Sequence, residues 1–196
     1  GDTNTVLSTV SVGSAPYSVG VNSSTNRIYV VNNDSGTVSV IDGAGNTVTS
    51  TISVGSSPSG VGVNSTTNRI YVTNYGNNTV SVIDGAANTV ISTISVGSYP
   101  RGVGVNSSTN RIYVANSQDN TVSVIDGTAN MVVSTVSVGS NPYGVGVDSS
   151  TNRIYVANYN SNSVSVIEDS ASSPPTVTTS SATNVTSSSA TLNGTV

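Results

Sequence analysis

The 196-residue chain has no Cys, His, Lys, Trp or Phe, and its charged residues amount to 7 %. Each absence excludes something. Without His or Cys there is no ordinary zinc site, no Ser–His–acid triad, no Cys nucleophile, and no haem or iron–sulfur ligation through those side chains. An enzyme is therefore not the expected reading, and no catalytic residue, cofactor or metal is assigned. Basic residues are limited to Arg27, Arg69, Arg101, Arg111 and Arg153 in a chain of net charge −4. Nothing here neutralises a phosphate backbone, so nucleic acid is not an expected partner. No run approaches the roughly 20 apolar residues of a membrane helix, and Gly1 opens the text without Met or an apolar leader, as in a mature or excerpted chain. No disulfide can form.

What remains is Ser, Thr, Asn, Gly and Val in a fixed order. Asn4-Thr-Val, Asn46-Thr-Val, Asn88-Thr-Val and Asn130-Met-Val open four copies, each 42 residues after the last. A period near 40 with short alternating runs between turn residues is the mark of propeller blades; a helical repeat would carry a 3.6 period, and no segment does. One copy shows four runs: Thr47 to Val54, Gly60 to Val63, Arg69 to Asn74 and Thr79 to Asp84. Turn chemistry separates them, with Asn64-Ser-Thr-Thr-Asn68 after the second run and Asp84-Gly85 with Asn88 after the last. The expected fold is all-β: a β-propeller of four 42-residue blades over residues 1–169, each a four-stranded antiparallel meander, followed by a short β tail. The short run, Gly60-Val-Gly62-Val and its counterparts at 18, 102 and 144, places Gly where another backbone approaches, as nearest the axis of a ring.

Arg27-Ile-Tyr-Val-Val-Asn32, Arg69-Ile-Tyr-Val-Thr-Asn74, Arg111-Ile-Tyr-Val-Ala-Asn116 and Arg153-Ile-Tyr-Val-Ala-Asn158, each followed by a Val-Ser-Val-Ile run, resemble the YVTN-type β-propeller repeats of archaeal and bacterial surface-layer proteins. The resemblance covers about residues 4–169 and implies a propeller in an extracellular, cell-surface setting; it names no ligand. Larger rings, commonly of seven blades, are what the resemblance leads one to expect. Four copies with one strand missing after Glu168 leave two closures open. Thr5 to Ser11 completes the last blade within the chain, which is the favoured expectation, or it pairs with another chain in a larger ring or open string. Beyond Ser170 the register is lost at Pro174-Pro175. Residues 170–196 weakly resemble the start of a fibronectin type III-like or immunoglobulin-like domain, and read either as a donated strand or as the opening of a longer domain.

Differences between copies point to one face. They concentrate in the turn before the short run, Ala15-Pro-Tyr17, Ser57-Pro-Ser59, Tyr99-Pro-Arg101 and Asn141-Pro-Tyr143, and in the loop after the Tyr-Val run. A meander sends both to the same side. Of nine Tyr, the repeating Tyr29, Tyr71, Tyr113 and Tyr155 read as packing residues. Tyr17, Tyr75, Tyr99, Tyr143 and Tyr159 share the variable face with Arg101, Asp34 and Asp119, a composition suited to holding a partner protein or a glycan. Arg27, Arg69, Arg111 and Arg153 recur in step with Asp42, Asp84, Asp126 and Glu168, and are expected to pair within each blade. An axial Ca²⁺ ring of those acids would fall short of six to eight oxygens. Asp34 and Asp119 are the only pair to weigh for glycoside hydrolysis, which keeps a hydrolase or lyase as a distant third reading. Asn22, Asn33, Asn64, Asn77, Asn106, Asn184 and Asn193 each begin an Asn-x-Ser/Thr acceptor sequence. Together these features predict a non-enzymatic extracellular subunit of a surface layer or filament, making contact through its tail and associating with itself or other envelope proteins. The alternative is a recognition or adhesion module that uses the Tyr-rich face.

Overall fold

A computed structural model describes residues 4–169 and the backbone of residues 178–183 and 191–195. Three sheets have four strands each. The first is β1 (Pro16–Asn22), β2 (Arg27–Asn32), β3 (Thr37–Asp42) and β4 (Thr47–Ser53); the second is β5 (Pro58–Asn64), β6 (Arg69–Asn74), β7 (Thr79–Asp84) and β8 (Thr89–Ser95). The third is β9 (Pro100–Asn106), β10 (Arg111–Asn116), β11 (Thr121–Asp126) and β12 (Met131–Ser137). All are antiparallel meanders in sequence order, with the same register in each copy. The turns form because Asn supplies left-handed backbone at low cost: Asn26, Asn68, Asn110 and Asn152 all have φ near 50°.

The fourth sheet departs from expectation. It contains β13 (Pro142–Asp148), β14 (Arg153–Asn158) and β15 (Ser163–Glu168), and no fourth strand among the described residues. Residues 4–12 form no strand, and Val6 and Leu7 stand almost fully exposed. The expected closure within one chain is therefore corrected: Thr5 to Ser11 does not reach β15. β16 (Thr178–Thr183) and β17 (Thr191–Thr195) pair with each other. Residues 1–3, 170–177, 184–190 and 196 lie outside the described residues, and with them the expected linker, part of the tail and the acceptor Asn184.

The core lies between blades rather than inside any one of them. Tyr29, Val38 and Val40 of the first blade pack on Ile70, Val72 and Ile83 of the second. Tyr71, Val80 and Val82 meet Ile112, Val114 and Ile125 in the same way, and Tyr113, Val122 and Val124 meet Ile154 and Val156. Strand alternation makes this possible, because one face of each blade serves the preceding neighbour and the other the following one. Nearest the axis the fit depends on glycine. A Cβ on Gly62 would lie 2.9 Å from Val105 and 3.2 Å from Val103. Where these same inner strands end, an amide clasp repeats: Asn22 Nδ2 donates to Asn68 Oδ1 at 2.8 Å, Asn64 to Asn110 at 2.8 Å, and Asn106 to Asn152 at 3.0 Å.

Candidate functional site

The two variable segments of each blade are tied to each other. The backbone amides of Asn33, Tyr75, Ser117 and Tyr159 donate to the carbonyls of Ala15, Ser57, Tyr99 and Asn141. A second bond in each blade runs from residue 14, 56, 98 or 140 to a side chain of the facing loop. Ser14 N donates to Ser35 Oγ at 2.7 Å, Ser56 N to Asn77 Oδ1, Ser98 N to Asp119 Oδ2 at 2.7 Å and Ser140 N to Ser161 Oγ at 3.1 Å. This explains why those loop positions vary only among short acceptors. It also gives Asp119 a structural duty, since its carboxylate holds a turn.

On this platform the structure brings together five of the eight residues singled out on that face. Tyr75 and Tyr99 stack with ring centroids 4.6 Å apart and planes 15° from parallel. The Arg101 guanidinium lies 4.7 Å from the Tyr75 ring and 4.1 Å from that of Tyr143, so it sits between two aromatic faces. Tyr143 and Tyr159 continue the row at 5.6 Å. The result is a ladder, Tyr99–Tyr75–Arg101–Tyr143–Tyr159, built from three blades. Tyr17 borders the adjoining depression together with Ser59, Gly60, Arg101 and Tyr143. Asp34 is exposed and has no place in the ladder, and Asp119 is spent on its turn. No pair of acids converges there for hydrolysis.

Arg101 is the chemically unusual member. Among the described residues it has no carboxylate partner, and its buried Nε makes no hydrogen bond. A guanidinium between two rings is partly desolvated, which strengthens whatever its remaining edge binds. Its backbone is braced from the second blade: Thr73 Oγ1 donates to the Arg101 carbonyl at 2.6 Å, accepts from Gly60 N at 2.7 Å, and lies 3.0 Å from Ser59 Oγ. Thr73 is buried. Sequence reasoning missed this brace, although the signal was there: position 73 alone carries a hydroxyl where the other copies have Val31, Ala115 and Ala157. Tyr99 has φ 54°, left-handed backbone that an aromatic residue seldom adopts, whereas the fourth copy places Asn141 there.

The repeating charges behave differently from expectation. Arg and acid do face each other across each strand pair, but only Arg69 and Asp84 form a close ion pair, at 2.8 Å. Arg27 reaches instead to the second blade, donating to the Gly85 carbonyl at 3.2 Å and Asn88 Oδ1 at 3.1 Å. Arg111 lies 3.9 Å from Asp169. Asp169 was missed in the sequence; it replaces the Gly found at 43, 85 and 127 and is buried as the polar node between the third and fourth blades. It accepts from Asn106 Nδ2 at 2.9 Å and Thr109 Oγ1 at 2.5 Å. Burial and this neighbouring carboxylate push the Tyr113 hydroxyl far above its ordinary value. Asp84 and Asp126 are held below the usual carboxylate range, chiefly by the turn amides of Ala87 and Ala129. Asp148 is lowered to about 2, chiefly by the Ser150 hydroxyl.

Three of the glycan-acceptor candidates are corrected. Asn22, Asn64 and Asn106 are fully buried with their amides clasped to the next blade, which leaves no room for a sugar. Asn33 donates to the Pro58 carbonyl at 2.8 Å, Asn77 is exposed on its loop, and Asn193 falls within β17.

Comparison with known proteins agrees with this architecture. Residues 56–83 match the NHL repeat model. A chain of the hydrazine synthase of Kuenenia stuttgartiensis superposes with a TM-score of 0.74 at 21 % identity, over 84 % of this chain and 49 % of that one. U3-55K superposes with a TM-score of 0.64 at 12 % identity, over 81 % of this chain and 53 % of its own. The fold is that of a β-propeller. This chain spans about half the length of each of those two propeller-like chains. Comparison with curated protein sequences finds no match. Among the described residues, no helix of the propeller is long and apolar enough to cross a membrane, and no group of three or more acidic side chains is placed to hold a metal ion.

Proposed function

We propose that this propeller is a non-catalytic interaction scaffold that grips a partner protein with the Tyr–Arg ladder. The observation that carries the reading is Arg101, held between the Tyr75 and Tyr143 rings with no carboxylate partner among the described residues. Tyr and Arg dominate protein contacts because they bury large areas at small entropic cost. An unpaired guanidinium edge flanked by rings suits a segment carrying a carboxylate beside an apolar or aromatic side chain. The resemblance to YVTN repeats and the Ser/Thr/Asn-rich surface support an extracellular, cell-surface setting, such as a surface layer or filament, with the tail as a further contact.

The test is a peptide-display selection on the intact chain, followed by binding of the enriched peptides to Y75A/R101A/Y143A. Acidic–aromatic peptides that bind the parent and lose at least tenfold on the variant support the reading; equal binding to both overturns it. A glycan array run on the same two proteins covers the second reading. Sugars retained by the parent and lost by the variant would move the assignment from protein to carbohydrate.

A further inference from the structure

At the two ends of the blade row, positions that are buried between neighbouring blades elsewhere stand exposed. Inside the chain the interface between blades occurs three times, always with the same positions. Carried forward by one repeat, the face that Tyr113, Val122 and Val124 present to the fourth blade becomes Tyr155, Val164 and Val166. These three are 40 %, 60 % and 58 % exposed. Carried back by one repeat, the Val61 and Val63 that pack on the first blade become Val19 and Val21, which are 61 % and 59 % exposed. The glycine seat is empty in the same place. A Cβ on Gly20, Gly62 or Gly104 would crowd the valines of the following blade, whereas one on Gly146 would meet nothing within 4 Å.

The missing strand completes the correspondence. Among the described residues no strand pairs with the outer edge of β15, where β3, β7 and β11 each bind an outer strand. Thr5-Val-Leu-Ser-Thr-Val-Ser11 matches β4, Thr47-Val-Thr-Ser-Thr-Ile-Ser53, in pattern and spacing, and lies outside any sheet. A long free edge beside an exposed apolar face invites strand addition.

We infer that two copies of this chain close head to tail into an eight-blade ring. Each copy's first blade covers the other's fourth, and each copy's Thr5–Ser11 adds to the other's β15. Known rings have about four to eight blades. Among the described residues the fourth sheet does not pair with the first, and two arcs of four blades make eight. The pairing is heterologous at each seam and two-fold symmetric as a whole. It does not rest on the ligand assigned to the Tyr–Arg ladder, although it would set the second copy's Tyr17 beside Tyr143, as Tyr143 lies beside Arg101. One seam contact differs from the internal ones. Asp148 stands where Asn22, Asn64 and Asn106 donate, so across the seam the second copy's Asn26 amide donates to the carboxylate.

Sedimentation of the full chain across a concentration series tests this, with two variants that change only exposed residues: V19K/V21K on the first blade and V164D/V166D on the fourth. The parent is expected to reach a plateau at twice its 19.6 kDa mass. Each variant alone is expected to be monomeric, its dissociation constant raised at least about a hundredfold by charge set against an apolar face. Mixed in equal amounts the two variants are expected to pair again, because one seam is native and the other joins Lys to Asp. A monomeric parent overturns the inference, as do a parent mass that climbs without a plateau, a variant that still dimerises alone, and a mixture that does not pair.

Discussion

Tyr113 and Tyr155 stand at the same position of successive blades, yet Tyr113 is 1 % exposed and Tyr155 40 %. The difference is the presence or absence of a following blade. Each blade of this propeller is half of two interfaces, so what decides burial is the neighbour and not the strand itself.

That dependence gives a prediction at the glycines of the axial strands. G104A puts a methyl group against Val145 and Val147 and is expected to cost about 1–3 kcal/mol by overpacking, read from urea unfolding. G146A meets no atom within 4 Å, so it should leave the unfolding of the monomer unchanged or slightly raised. In the head-to-tail ring it should weaken the dimer, because the second copy's Val19 and Val21 fill that seat. Equal destabilisation of the monomer by both variants would contradict the open seat.

A second prediction concerns Asp169. D169A removes the acceptor for the second hydrogen of the buried Asn106 amide and for the half-buried Thr109 hydroxyl, and is expected to cost about 1–3 kcal/mol in thermal or denaturant unfolding. D169N keeps one acceptor and should cost less. Loss of the same size from both would mean that charge, and not hydrogen bonding, is what the node supplies.

At the ladder, Y99N exchanges an aromatic residue in left-handed backbone for one that tolerates it. Relief of strain and loss of the Tyr75 stack oppose each other, so stability should stay within about 1 kcal/mol while ligand binding falls. T73V removes the hydroxyl under the Arg101 carbonyl and should reduce both stability, by about 1 kcal/mol, and binding. Binding that survives both substitutions would separate Arg101 from the partner.

The pH response follows from the shifted groups. Asp84, Asp126 and Asp148 have folded values below their ordinary 3.8, so their contribution is complete above about pH 4 and is lost as pH falls toward 2. Tyr29, Tyr71 and Tyr113 are raised above their ordinary 10.0, chiefly by burial, so theirs is complete below about pH 10 and is lost as pH rises past it. Neither set's window reaches neutrality, so these six groups should put no slope on the unfolding midpoint between about pH 5 and 9. A slope inside that window would have to come from something other than these six groups.

Much of the fold was legible because period-2 alternation and Asn-rich turns are local signals. The run from Arg69 to Asn74 appears as β6 with the bounds its sequence suggests, and the paired variable loops lie on one side as the meander requires. Which acid each Arg would choose was not legible, since Arg27 and Arg111 reach into the next blade while Arg69 stays in its own. The ladder was legible as a set of residues and not as an order, because Tyr75, Arg101 and Tyr143 meet only when three blades stack. Closure was misjudged for the same reason: Thr5 to Ser11 carries the right pattern for an outer strand, but pattern does not say whose sheet it joins.

The most direct measurement is hydrogen exchange at the amides of Thr5–Ser11, followed from dilute solution to concentrations where the mass has doubled. The account predicts free exchange in the monomer and strong protection in the dimer, together with the amides along the outer edge of β15. Exchange of Thr5–Ser11 that stays free in a fully formed dimer would contradict it.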